Sequence, residues 1–251
     1  MACALRELAC MRLVYGLLPL AVACTTGGDG GGSPDGGGQP DGNPEAAVVF
    51  PPLIHTGYDG TDNFLVPVST DLSNQVEGQV SWASDDPSVA TVESVETPAG
   101  YPATRGVWAM ITSAGSGQTT VSATIGAYTV SAEVLVAAYD SAQVSAGDTR
   151  YHTDEADDRR ACASCHEAAG GADHTPTEMA FHDDAALLVV ITEGHYPDEC
   201  LTDEGDPCSC GSGGCEVVPG YVLSIDHTWN LTETEAAGIV PYLRSLAPRG
   251  F

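Results

Sequence analysis

Cys162-Ala163-Ser164-Cys165-His166 is the stretch of this sequence whose residue types and spacing most directly imply a reaction. Two thiols three positions apart stand about one turn apart on a helix, so both can face one object. Thiols so placed can add to the two vinyl groups on one edge of a porphyrin. The adjoining imidazole of His166 can then ligate its iron, which is the C-x-x-C-H pattern of c-type haem attachment. The same cysteines could act as a redox dithiol, but that chemistry goes with a βαβ surrounding that this sequence does not suggest. They could also be half of a zinc site, but such a site wants a second ligand pair at matching spacing. The expectation is one covalent haem c, its iron held on the proximal side by His166.

Three helical segments would have to position that turn. Upstream lies Ala146-Gly147-Asp148-Thr149-Arg150-Tyr151. Downstream, Asp183 to Gly194 carries acidic residues in its first turn and a glycine just past its end, the expected signals for a helix start and stop. A last helix opens at Thr232, whose spacing from Glu235 is that of a capping box, and runs through Ile239, Val240, Tyr242 and Leu243 to Leu246. Pro241 within it predicts a kink. In this order, around one C-x-x-C-H, the segments resemble class I cytochromes c, in which a glycine and an aromatic of the first helix pack on the last. The resemblance implies an all-α cytochrome c domain over 144–251 that transfers electrons.

The sixth iron ligand departs from that family's pattern. The resemblance places a methionine between the last two helices, yet residues 195–230 contain none. His227, shortly before the last helix, is the leading candidate for the distal iron ligand. Met179 and His195 are the alternatives, and an open, five-coordinate iron is a further one. Such an iron would suit a haem sensor or a protein that binds peroxide or gas. The same stretch holds a Cys-rich insertion over 196–220. Its Cys200, Cys208, Cys210 and Cys215 could close two disulfides or bind zinc, and an exported chain favours disulfides. Their pairing is open, although Cys208 with Cys210 is too cramped to be expected.

Residues 46–139 read differently. Short apolar or β-branched runs, Val76–Trp82, Val89–Val95, Gly106–Thr112, Thr119–Ile125 and Tyr128–Val136, alternate with turn residues, and Leu65–Val68 is a further candidate. That spacing predicts an antiparallel sandwich. The wording SWASDDPSVATVE followed by AGSGQTTVSATIGAYTVSAEVLV resembles the bacterial Ig-like group 2 domain, in which Trp82 would be a core anchor. The resemblance implies a spacer, or an adhesive module by which the chain could serve as a scaffold or interaction subunit of a redox complex. The fold class expected overall is multidomain, an all-β Ig-like sandwich followed by an all-α cytochrome c fold.

The N-terminal residues speak to location. Residues 1–23 have a signal peptide's plan, with Met11 an alternative start, Arg12 as the positive charge and an apolar run from Leu13 to Ala23 too short to span a bilayer. Leu20-Ala21-Val22-Ala23-Cys24 resembles a lipobox, which makes Cys24 the lipid anchor, and residues 24–45 are Gly-, Asp- and Pro-rich, as a flexible tether is. The chain is therefore expected to be an exported lipoprotein of the cell envelope, of outer-membrane type or facing the periplasm, held to the membrane by its lipid. With 35 Asp and Glu against 8 Lys and Arg, it would repel nucleic acid. Its expected partners are redox proteins. No acid–base pair or substrate pocket is legible, so an electron carrier without substrate turnover of its own is expected rather than an enzyme.

Overall fold

The computed structural model describes residues 44–61, 64–154, 160–167, 174–195, 199–202, 215–218 and 229–248. A β-strand-rich N-terminal region is followed by an α-helical C-terminal region. The strands are β1 (Val49–Phe50), β2 (Leu53–Tyr58), β3 (Leu65–Thr70), β4 (Ser81–Ser84), β5 (Ala90–Val95), β6 (Val107–Ser113), β7 (Gly117–Ile125) and β8 (Tyr128–Ala138). They form two four-stranded sheets, ordered β1-β3-β6-β5 and β2-β8-β7-β4. Alternation decides which side chains meet between them. Val121, Ala123 and Ile125 of β7 and Ala132, Val134 and Val136 of β8 are buried, and they share one core with Val66, Val68 and Ile111 of the other sheet. Each fully buried Val or Ile contributes roughly 1.5–3 kcal/mol there.

Strand pairing departs from expectation at two places. The run expected over Val76–Trp82 becomes a strand only at Ser81, because a short 3-10 turn at Leu72–Asn74 and Gly78 at φ 144° occupy the approach to it. Strand β2 was not foreseen. It pairs parallel with β8, from Leu53 opposite Glu133 to Tyr58 opposite Ala138, whereas the other ladders are antiparallel. Trp82 is half-buried against the core. Trp108 is the fully buried tryptophan, lying edge-on to Tyr101 at 5.0 Å.

The helices are α1 (Ser141–His152), α2 (Ala163–His166), α3 (Pro176–Met179), α4 (Asp184–Glu193) and α5 (Glu233–Arg244); a hairpin of β9 (Glu199–Thr202) and β10 (Cys215–Val218) lies between α4 and α5 in sequence. Among the described residues no helix is long and apolar enough to cross a membrane. The sequence signals for helix ends are observed. Asp183 accepts from the Ala186 amide, Gly194 closes α4 at φ 71°, and Thr232 with Glu235 forms the capping box of α5. Helix α5 continues across Pro241. A proline cannot donate to the carbonyl four residues before it, here that of Ala237, and Gln143 Nε2 of α1 donates to that oxygen at 3.3 Å instead.

One buried arginine joins the two regions. Arg244, 2 % exposed, donates through Nη1 to the His55 carbonyl of β2 at 2.7 Å and to the Met179 carbonyl at 3.0 Å. Its Nη2 reaches the His182 carbonyl at 2.7 Å, and Nε donates to Asp184 Oδ1 at 2.9 Å. The Tyr139 hydroxyl, at the end of the β region, donates to the other Asp184 oxygen at 2.8 Å. Beside this seam Ala180 sits in the β core, and Thr177 Oγ1 donates to the Pro67 carbonyl at 2.9 Å.

Candidate functional site

Helix α1 sets the geometry of the C-x-x-C-H turn. Gly147 of α1 lies against Gly238 of α5 so closely that a Cβ on Gly147 would overlap the Gly238 carbonyl oxygen. One turn on, the rings of Tyr151 and Tyr242 approach to 5.1 Å between centroids. The glycine-and-aromatic contact expected of the first and last helices is thus present, on the residues where it was expected.

From this crossing the chain is led into α2 by buried polar contacts. Arg150, 2 % exposed, donates through Nη1 to the Thr153 and Arg160 carbonyls at 3.2 and 3.3 Å, and through Nη2 to Arg160 at 3.2 Å. Its charge is answered by Glu235 Oε1, 3.6 Å from Nε, and by the face of Trp229, 5.0 Å away. Glu235 therefore caps α5 and balances Arg150 at once. The Ala161 amide donates to Asp154 Oδ1 at 2.7 Å. The turn itself closes with the amides of Cys165 and His166 on the Cys162 carbonyl at 3.1 and 3.0 Å.

Neither Cys162 nor Cys165 is in a disulfide, and both are half-buried. Burial pushes the Cys162 thiol up, against the opposing pull of Arg150. The turn rests on an apolar bed of Tyr151, Leu187, Ile191, Ile239, Val240 and Leu243, against which Cys162, Ala163, Met179, Trp229 and Leu231 also pack. Two reduced thiols a turn apart, an adjacent imidazole and an apolar surface are the donor set and surroundings that covalent haem attachment needs, so these residues fit that group.

The distal candidates are placed differently from one another. Met179 ends α3 and packs on this apolar bed. His195 follows Gly194, half-buried, with Nε2 3.1 Å from Glu193 Oε2. His227 lies outside the described residues, as do Cys24, Cys208 and Cys210. Cys200 pairs in register with Val217 and Cys215 with Thr202, which offsets the two cysteines along the β9–β10 ladder. Two residues of the site escaped sequence reasoning. Arg150 stands between Gly147 and Tyr151, where a charged residue on the packed stretch of a helix was the available signal. His174 stacks on His166, and nothing in its spacing from the C-x-x-C-H turn marks it.

No family model and no curated protein matches the chain. Among solved structures, it is similar to domains 4 and 5 of the S-layer protein SbsC at 18% identity and a TM-score of 0.26, over 37% of this chain and 51% of that one. Domains 4–9 of the same S-layer protein give 19% identity and a TM-score of 0.27, over 38% and 14% of the respective chains. The chain thus spans about half or less of the solved chains it resembles. Superpositions this partial carry no argument about fold or function.

Proposed function

We propose that this protein is an exported, membrane-tethered electron carrier in which Cys162 and Cys165 hold one haem by thioether bonds and His166 ligates its iron. The single observation that carries the reading is the pair of free thiols beside His166 on one turn, with Cys162 packed against the apolar bed between α1, α4 and α5. The helical region is read as a class I-like cytochrome c domain and the β region as a bacterial Ig-like group 2 domain. When bound, the haem would supply a one-electron iron couple. The chain's own residues bind and orient it. Arg150 and Asp154 fix the approach to α2, the thiols fix one porphyrin edge, and Leu187, Ile191 and Trp229 keep water from that side. Cys24 is the proposed lipid anchor, and redox proteins are the proposed partners. The activity proposed is electron transfer, without substrate turnover of its own.

Two measurements test this. Denatured wild-type protein should keep one haem per chain, and Cys162→Ala with Cys165→Ala should lose it; haem that extracts freely from the wild type sinks the proposal. His227→Ala should convert the iron from low to high spin while the haem stays attached, with His195→Ala leaving the spectrum nearly intact. Loss of a methionine-to-iron absorption band in Met179→Leu would move the distal role to Met179.

A further inference from the structure

We propose that His174 is a positioning residue for the proximal ligand, holding the imidazole plane of His166 by stacking on it; this rests on the haem reading above. The two rings lie 3.8 Å apart between centroids at an interplanar angle of 25°. A histidine ring turns easily about its last side-chain torsion, whose energy wells are broad and two-fold. A flat partner against its face removes that freedom.

His174 is itself anchored. The Tyr151 hydroxyl lies 3.4 Å from His174 Nδ1, and Tyr151 is fully buried at the crossing of α1 and α5. The next residue, Thr175, is fully buried and caps α3 by accepting from the Glu178 amide at 3.2 Å. Helix α3 is tied to the β region through Thr177 and the Pro67 carbonyl. A continuous set of contacts therefore runs from β3 through α3 and His174 to His166.

The plane of an axial imidazole sets which iron d orbitals its π system overlaps, so it is read in the g values of the ferric iron and in the reduction potential. The test uses the full chain carrying its haem, with covalent haem per chain counted first. His174→Phe keeps a flat ring without the nitrogen that faces Tyr151, and His174→Gln keeps a polar group without the ring. The Phe variant should retain the wild-type g values and potential. The Gln variant should keep one haem and the wild-type spin state but show shifted, broadened g values and a changed potential. Wild-type signals from the Gln variant, or a Phe variant as perturbed as Gln, would overturn the inference. A change of spin state in both variants overturns it too, by making His174 an iron ligand. A wild-type chain without covalent haem defeats the haem reading and this inference together, and the haem count tells that failure from the failure of His174 alone.

Discussion

Among the described residues, eighteen buried side chains meet in the core of the β region, whereas six form the buried bed of the helical region beside the Cys162 turn. The larger core is closed by two sheets. The smaller one keeps thiols, a histidine pair and a buried arginine at its margin, where a prosthetic group could complete it. At the seam, Ala180 of the helical region is buried in the β core. The β region therefore also supports part of the helical region. It holds α3, and with it His174 and Met179, through Pro67, His55 and Arg244.

The comparison breaks most readily at Arg244. Arg244→Met removes the guanidinium donor from the His55, Met179 and His182 carbonyls and from Asp184. That carboxylate is 45 % exposed and keeps the Tyr139 hydroxyl, so the loss should be about 1–3 kcal/mol. Chemical denaturation should show the helical region unfolding at lower denaturant, with the β region less affected. Equal loss in both regions, or none, would mean the seam does not couple them as described.

Gly147→Ala is expected to have a comparable effect. Its methyl group would meet backbone that cannot swing aside, so the cost should reach or exceed the about 1–3 kcal/mol of ordinary overpacking. Near-ultraviolet circular dichroism should report loosened packing around Tyr151 and Tyr242, with strand signals unchanged.

The smallest effect expected is a pH dependence of the seam. Burial, and then the charge of Arg244, hold His55 and His182 below the ordinary histidine value of 6.5. The unfolded chain then binds protons that the folded chain refuses, so stability falls as pH drops below about 6.5 and stops falling below the folded-state values. Denaturation midpoints measured from neutral to mildly acid pH should drop more for the wild type than for His55→Gln with His182→Gln. An identical drop in both would assign the acid sensitivity to carboxylates instead.

What could be read from the sequence was local. The C-x-x-C-H spacing, the Thr232–Glu235 cap, Gly194 as a helix stop and the alternation of β5 to β8 each depend on residues within a few positions of one another, where period and capping chemistry act directly. The tertiary structure decided the rest. Strand β2 finds β8 across nearly eighty residues, and its LIHTGY carries no alternation that would announce the pairing. Arg244 looks like a basic residue ending a helix, yet it is buried because His55 of β2, Met179 at the end of α3 and His182 in the turn after it offer carbonyls around it. His174 meets His166 only because α3 is held on the β region while α2 is held on α1. Each of these contacts joins groups that chain order leaves apart, and only the packing of one region on the other sets their distance.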